Sequence, residues 1–293
     1  KGEGARQWPP ARIAALCLES RCRAMSGCPM QMTAMLPILL LIVYSFNSSR
    51  LATVWSGFSF KWYGELFRDD KMLRAAWISI KVAFWTATAA VVLGTMAALV
   101  MTRMRRFPGK TLFGALITAP LVMPEVIIGL SILLMFVSLG EFVGFKPGGI
   151  LSIWIAHVTF TLAFVTVVVS SRLSELDKSL EEAAMDLGAN RIKVFFLITL
   201  PIIAPALVSG WLLAFTLSLD DVVIASFVAG PSSTTLPIEV FSSVRRGLSP
   251  KINALATLMI LVVSVAAFLG WWFMYREEKR RQRDVQLALQ ENG

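Results

Sequence analysis

The sequence contains little charge, and this shortage already narrows the class of protein. Charged residues make up 16% of the 293 residues, against about 25% in a typical soluble domain. The hydrophobic share is 56%, so too little polar surface is available to cover a water-soluble fold. Such hydrophobicity also excludes a disordered chain. The composition therefore indicates a protein embedded in a membrane.

Residues that bind metals or form disulfides are equally scarce. The three cysteines, Cys17, Cys22 and Cys28, lie in one short stretch, and an odd number in such a stretch is not a disulfide framework. The single histidine, His157, lies far away in an apolar run. We therefore expect no metal site, and we interpret His157 as a packing residue.

Motifs of an active site are missing as well. Gly109-Lys110-Thr111 resembles the end of a phosphate-binding loop, but Met104 stands where that loop requires a glycine. The sequence also contains no Gly-x-Ser-x-Gly motif. We expect no catalytic residues, no ATPase site and no cofactor bound by this chain.

Long runs without a charged residue dominate what is present. A helix that crosses a bilayer needs about 20 apolar residues. Six runs reach that length, one of them interrupted by Glu125: 24–46, 82–102, 111–140, 147–171, 194–219 and 252–275. The shorter run 222–238 contains Gly230-Pro231, so we expect a re-entrant or interfacial segment there. The sequence predicts an all-α integral membrane protein with six transmembrane helices in one domain, 24–275. An atypical N-terminal segment, 1–23, precedes this domain, and a charged helical tail, 276–293, follows it.

The positions of the basic residues predict an orientation. Loops on the cytoplasmic side of a membrane protein carry an excess of Lys and Arg. With both termini inside, four basic segments fall on that side: Arg21 and Arg23; Arg103, Arg105, Arg106 and Lys110; Arg172, Lys178, Arg191 and Lys193; and the basic residues that follow 275. The net charge of +9 is then explained by orientation, and we expect no binding of nucleic acid.

The loop between the fourth and fifth runs, 177–201, carries the most informative pattern. Ser179 and Glu182 form a capping-box pattern, which predicts the start of a helix. Gly188 suits the left-handed position that ends a helix, and Asn190 suits the cap of a second helix. Small apolar side chains on one face would let a partner approach closely, as when a helix docks into a groove. An ordinary amphipathic helix on the membrane surface explains the composition equally well.

This loop resembles the EAA motif of the permease subunits of ABC importers. The matching residues are Glu182, Ala183, Ala184, Gly188, Ile198, Leu200 and Pro201. The likeness runs from about residue 36 onward, and the segments 43–49, 119–124 and 217–222 resemble the polyamine branch of that family. Residues 1–35 depart from the family pattern.

The resemblance implies a fold, a location and partners. The fold would be the type I importer (MetI-like) permease fold with a cytoplasmic coupling loop, in a bacterial inner membrane. The partners would be membrane lipid, a second homologous permease subunit, two ATP-binding-cassette ATPase subunits that bind the ATP, and a periplasmic polyamine-binding protein. The activity would be import of cations such as putrescine or spermidine by alternating access.

Carboxylates within the apolar runs suggest where a cation passes. A charge at the centre of a spanning helix costs about 2.5–3.5 kcal/mol on insertion, so it usually marks a pathway or a pair. Glu125 lies midway along the third run, and Asp220 and Asp221 close the fifth. Aromatic faces add about 0.5–2 kcal/mol each by cation–π contact, and the candidates are Trp85, Trp154, Phe160 and Phe227. The alternative is that the two aspartates only cap a helix.

Three other functions stay open at this level. A permease for a different solute would carry the same coupling loop. A channel or carrier that works without an ATPase would leave that loop unexplained. An intramembrane enzyme would need paired catalytic groups, and the available residues, Glu125, His157 and the two aspartates, are scattered in the sequence.

Overall fold

The computed structural model describes residues 35–49, 54–104, 107–247 and 250–291. The predicted segment 1–23, the three cysteines and the start of the first apolar run lie outside these residues. In chain order the described helices are α1 (Met35–Tyr44), α2 (Lys61–Phe67), α3 (Asp70–Arg103), α4 (Lys110–Val122), α5 (Glu125–Val143), α6 (Ile150–Glu175), α7 (Lys178–Asp186), α8 (Arg191–Val194), α9 (Leu200–Asp220), α10 (Val223–Val228), α11 (Leu236–Arg246) and α12 (Pro250–Glu291). A π-helical turn, Phe195–Thr199, joins α8 to α9. The chain divides into two compact units, Lys1–Arg68 with Arg246–Gly293, and Asp69–Arg245.

In the first unit, Asn47 organises the connection between α1 and α2. Asn47 is 1% exposed, and its side-chain amide donates to the carbonyl of Val54 at 2.7 Å. Its own carbonyl accepts the indole N–H of Trp62 in α2 at 2.6 Å. The helix α12 packs on α2 and continues without a break to Glu291. The expected helical tail is therefore confirmed as far as the described residues extend.

The core of the second unit forms where α3, α6 and α9 pack together. Small residues on α3 allow this approach: Ala87, Ala90 and Ala98 are buried against Val165 and Val169 of α6 and Ala214 of α9. A side chain on Gly94 would begin 2.9 Å from Val165, so the helices are too close for even an alanine there. Small residues at contacts of this kind are typical of helices that associate within a bilayer.

Among the described residues, four helices are long and apolar enough to span a membrane: Asp70–Arg103, Glu125–Phe142, Ile150–Glu175 and Arg191–Asp220. They overlap four of the six predicted spans. The first run appears as the shorter apolar helix Met35–Tyr44, and the sixth lies within α12, whose apolar part among the described residues is Pro250–Val265. The count of six spans therefore stays a prediction, whereas the all-helical class is confirmed.

The third predicted span, 111–140, is not one helix. It breaks at Met123 and Pro124 into α4 and α5. Met123 is extended, with ψ of 139°, because a residue before proline is driven out of the helical region. Glu125 therefore begins a helix instead of lying midway along one, and our prediction of its position was wrong. A carboxylate is favourable in a first helical turn, where the backbone N–H groups carry partial positive charge.

The segment 222–238 is interrupted, as its glycine and proline predict. After α10 the chain is not helical until α11 begins at Leu236. A Cβ on Gly230 would lie 2.1 Å from the carbonyl oxygen of Gly148, so only glycine permits this close backbone contact. Ser233 donates to the same carbonyl at 2.8 Å, and the Leu236 N–H donates to Ser79 of α3 at 2.8 Å. These contacts hold the interrupted segment to α3 and to the start of α6.

Candidate functional site

The coupling loop 177–201 folds as a helix, a tight turn and a second helix. Gly188 has φ of +86°, a conformation that glycine adopts without steric cost. Its N–H donates to the Met185 carbonyl at 2.9 Å, and the Ala189 N–H donates to the Ala184 carbonyl at 3.1 Å. These two bonds form a Schellman motif, which ends α7 at the place the sequence predicts. The second helix starts after Asn190 and continues through the π-turn into α9.

The cap at the start of α7 differs from the prediction. Asp177, and not Ser179, occupies the N-cap, and its carboxylate accepts the Ser179 N–H at 3.0 Å. The predicted capping box of Ser179 and Glu182 is therefore wrong. The backbone N–H and the hydroxyl of Ser179 hold the pKa of the Asp177 carboxyl below its ordinary value of 3.8, because both hydrogen bonds favour the charged form.

One face of this loop is exposed. Leu187 is 91% exposed and Ile192 is 66% exposed. Of the motif residues, Glu182, Ala183, Gly188 and Pro201 are exposed, whereas Ala184, Ile198 and Leu200 are half-buried. An apolar residue as open as Leu187, beside small residues and a carboxylate, is the kind of surface on which a partner docks.

The residue before the motif, Glu181, faces the opposite way. Its Oε1 atom accepts hydrogen bonds from Arg103 Nε at 3.2 Å and from Thr199 Oγ1 at 3.0 Å, and it lies 3.0 Å from Arg103 Nη2. Only 17% of the Glu181 side chain and 16% of the Arg103 side chain are exposed. The Arg103 guanidinium also reaches the carbonyl of Leu176, which ends α6, at 3.5 Å. This cluster, which we call the Glu181 anchor, joins α7 to α3, to the end of α6 and to the π-turn.

The π-turn places Thr199 in this cluster. Leu200 donates to the carbonyl of Phe195, five residues earlier. The turn ends two residues before Pro201. Proline cannot donate a backbone hydrogen bond, and in a regular helix its ring collides with the carbonyl four residues before it. Thr199, the last residue of the turn, is 2% exposed. A π-turn within a helix is often found at a functional site.

A second group of polar side chains lies where α9 ends. Asp221 is 9% exposed and His157 is 1% exposed. His157 Nε2 lies 3.1 Å from Asp221 Oδ2, at ion-pair distance but without hydrogen-bond alignment, and His157 Nδ1 lies 2.7 Å from Ser218 Oγ. Asp221 also accepts the N–H groups of Ile224 at 3.3 Å and Ala225 at 2.7 Å, so it caps α10. We call these three side chains the His157 cluster.

The neighbouring Asp220 lies outside this cluster. Its side chain is exposed, whereas Asp221 is buried. Glu125, at the start of α5, is exposed too. The structure therefore separates the three predicted pathway carboxylates into two exposed ones and one that already has partners.

The four aromatic residues predicted to line the pathway also differ in how exposed they are. Phe160 is buried in the core formed by α3, α5, α6 and α10, and Phe227 packs against that core and against Gly129. Trp85 is 57% exposed on α3. Trp154 is half-buried, and its indole N–H has no partner among the described residues. Only Phe160 and Phe227 are brought into one cluster.

Four residues of these two clusters were not predicted from the sequence as site residues. Glu181 stands beside the motif, but nothing in the sequence shows that it faces inward. Arg103 appeared only as a basic loop residue, and Thr199 occupies a variable position of the motif. Ser218 carried no signal. The only hint of the Glu181 anchor in the sequence is that Glu181 and Thr199 are polar residues beside or within the motif, and that Arg103 is a basic residue at the end of an apolar run.

The comparisons with known proteins define the class. Residues 90–283 match the family described as "Binding-protein-dependent transport system inner membrane component". This match covers more than half of the chain, which therefore belongs to that family of bacterial inner membrane permeases.

Individual relatives within this family indicate a narrower group of permeases. The chain is 61% identical over 253 residues to the putrescine transport system permease protein PotI of Escherichia coli (strain K12), covering 86% of this chain and 90% of that protein. It is 43% identical over 227 residues to the spermidine/putrescine transport system permease protein PotC of Haemophilus influenzae, covering 78% of this chain and 86% of that protein. The resemblance to the polyamine branch is thereby confirmed.

Solved structures agree on the fold. A bacterial ABC transporter involved in the import of the acidic polysaccharide alginate superposes with a TM-score of 0.65 at 16% identity, over 92% of this chain and 100% of that one. The same type of transporter in complex with an alginate pentasaccharide-bound periplasmic protein superposes with a TM-score of 0.70 at 13% identity, over 91% of this chain and 96% of that one. At such identities the likeness concerns the fold alone, and it confirms the permease fold expected from the sequence.

Proposed function

We propose that this chain is the permease subunit of an ABC importer for polyamines such as putrescine. The observation that carries the proposal is the exposed coupling loop, with Gly188 in the left-handed conformation and Leu187 open on its surface. The identity of 61% to a putrescine permease supports the choice of substrate. Import is driven by separate ATPase subunits, and the chain has no ATPase site or cofactor of its own.

The proposed assembly contains four kinds of partner. Two ATPase subunits dock on coupling loops, one of them on the face that includes Glu182, Ala183 and Leu187. A second homologous permease packs beside this chain in the bilayer and completes the pathway. A periplasmic polyamine-binding protein delivers the substrate, and lipid surrounds the apolar helices.

In the proposed orientation, with both termini inside, α9 crosses the membrane. Its 21 residues span about 30 Å at about 1.5 Å per residue, which is about the thickness of the hydrocarbon core. The coupling loop and the His157 cluster therefore lie at opposite ends of a membrane-spanning helix. With the coupling loop on the cytoplasmic side, Asp220 and Asp221 lie near the periplasmic side.

We propose that the pathway for the cation includes the predicted residues in two roles. The exposed carboxylates of Glu125 and Asp220 attract the amines of the substrate. Asp221 contributes mainly by fixing the start of α10, because its oxygens already accept two backbone N–H groups. Trp85 and Trp154 add aromatic surface, and Phe160 and Phe227 support the packing behind them.

The test uses the purified complex in lipid with its second permease, ATPase and binding protein. ATP hydrolysis is expected to rise when the binding protein is loaded with putrescine. The variant Gly188→Val is expected to abolish this rise, because a β-branched residue is strongly disfavoured at positive φ. Gly188→Asn is the matched control, since asparagine tolerates the left-handed conformation, and it is expected to retain most of the stimulation.

Two outcomes would contradict the proposal. Hydrolysis that ignores putrescine but responds to another loaded binding protein would keep the fold and the loop and discard the polyamine. Equal stimulation in wild type and Gly188→Val would discard the coupling role of the loop. For the pathway, unchanged uptake by Glu125→Gln and Asp220→Asn would remove those carboxylates from it.

A further inference from the structure

We propose that Glu181 is a positioning residue that transmits the movement of the docked helix α7 to α3 and α9. It does so through the Glu181 anchor, that is, through Arg103 and Thr199. This inference rests on the proposed function, because it concerns how docking at the coupling loop moves the membrane helices.

The two adjacent glutamates of the loop have different environments. Glu182 is exposed, and only 17% of the Glu181 side chain is exposed. A single oxygen of Glu181 lies within 3.2 Å of three donor atoms, two on Arg103 and one on Thr199. Hydrogen bonds in which both partners are charged are shorter and stronger than neutral ones. Glu181 is therefore held by the protein, whereas Glu182 is available to a partner.

Each donor belongs to a different membrane helix. Arg103 is the last residue of α3, where a positive charge also favours the helix C-terminus. Thr199 ends the π-turn that leads directly into α9. The sequence connects α7 to α3 only through the long segment 104–177. The Glu181 anchor thus provides a direct link from α7 to α3 that the chain itself lacks.

Among the described residues, little else attaches α7 to the rest of this unit. None of its residues is buried, so apolar packing contributes little to its position. A helix attached mainly by a compact polar cluster moves with that cluster. Loss of the anchor should leave α7 folded by its caps and free to dock, but should loosen its connection to α3 and α9.

The decisive measurement is the ratio of putrescine transported to ATP hydrolysed in the assembled complex. The variants Glu181→Gln and Arg103→Gln each leave one charge without its partner. Both should still assemble with the ATPase and hydrolyse ATP, but their ratio should fall by at least about twofold, the lower bound for groups in direct contact. The double variant should be closer to wild type than either single variant, because it leaves no unpaired charge.

A gentler pair of variants guards against misfolding. Thr199→Val removes the hydroxyl at nearly constant volume, whereas Thr199→Ser keeps it. The ratio should fall in Thr199→Val and stay near wild type in Thr199→Ser. Glu175→Gln is the control for charge, since Glu175 forms an exposed ion pair with Arg172 at the same end of the unit, and such pairs contribute little.

The outcomes separate this inference from the proposed function. An unchanged ratio in Glu181→Gln, Arg103→Gln and Thr199→Val would overturn the inference. The inference would also be overturned if ATPase binding fell by as much as the ratio of putrescine transported to ATP hydrolysed, because Glu181 would then only support the docking surface. If the wild-type complex shows no putrescine-dependent hydrolysis, the proposed function fails instead.

Discussion

Two pairs of adjacent acids share one arrangement: Glu181-Glu182 lies in α7, before the long helical segment Arg191–Asp220, and Asp220-Asp221 lies at the far end of that segment. In each pair one carboxylate is turned inward and held. Arg103 holds the first, and the backbone N–H groups of Ile224 and Ala225 hold the second, with His157 beside it. The other carboxylate of each pair is exposed. One acid fixes the backbone, and its neighbour stays available to a partner or a substrate.

The two inward carboxylates differ in burial and in partner. The side chain of Asp221 is 5% exposed and that of Glu181 is 17% exposed. Arginine is always charged in proteins, whereas the ring of His157 lies at ion-pair distance from Asp221 without hydrogen-bond alignment. The loop end is therefore held by a permanent ion pair beside water. The start of α10 is held in a more buried site, where the carboxylate of Asp221 accepts the backbone N–H groups and lies beside His157.

The largest expected effect concerns the Asp221 end. Asp221→Ala removes the acceptor of two backbone N–H groups and the neighbour of His157. Each buried group left without a partner costs about 1–3 kcal/mol, so we expect a loss of about 3 kcal/mol or more in the free energy of unfolding. Thermal unfolding of the purified protein in detergent measures this change.

The neighbouring residue is the matched control. Asp220→Ala alters an exposed side chain, so its effect on stability should stay within about 0.5 kcal/mol. Transport, in contrast, should suffer. Equal destabilisation by both substitutions would break the distinction between an inward and an outward carboxylate.

A smaller effect is expected from the close backbone contact near α10. Gly230→Ala would place its Cβ atom 2.1 Å from the carbonyl oxygen of Gly148, and crowding of this kind costs about 1–3 kcal/mol. Gly149→Ala is the control one residue from that contact, because its Cβ would meet nothing within 4 Å. Proteolysis of the segment between α10 and α11 reports the local opening. Equal cleavage of both variants would show that the close contact between Gly230 and Gly148 does not hold the segment between α10 and α11 in place.

The smallest expected effect concerns pH at the loop end. The pKa of Asp177 is lower in the folded protein than its ordinary value of 3.8. A depressed pKa contributes stability that is present above the ordinary value and is lost as the pH falls through the folded value. Hydrogen exchange at the Ser179 amide should therefore accelerate, relative to unfolded peptide, only below about pH 4. In Asp177→Asn this acid-induced change should disappear, and its persistence would assign the change to another group.

The sequence predicted the local features of the coupling loop well. Gly188 and Asn190 carry turn and cap preferences that act within a few residues. The structure places both at the expected positions, although the side chain of Asn190 makes no capping hydrogen bond. The wrong cap has the same origin, since Asp177 and Ser179 are both good cap residues two positions apart and local preference cannot choose between them.

The break at Pro124 and the partners of the two inward-facing acids were not predicted from local preference or hydropathy. Hydropathy counts apolar residues, so it joined α4 and α5 although Pro124 favours a break. Arg103, which pairs with Glu181, and His157, which lies beside Asp221, are far away in the sequence, and only the packing of α3, α6 and α9 brings them close. Long-range pairs of this kind leave no signal in spacing or composition.

The most direct test of the central claim measures uptake of labelled putrescine into vesicles that contain this chain and its second permease. We predict uptake only when the ATPase, ATP and loaded binding protein are all present, and loss of uptake in Gly188→Val but not in Gly188→Asn. Uptake that proceeds at the same rate without the ATPase would contradict the account, because the chain would then act as a channel or carrier and its coupling loop would have no role.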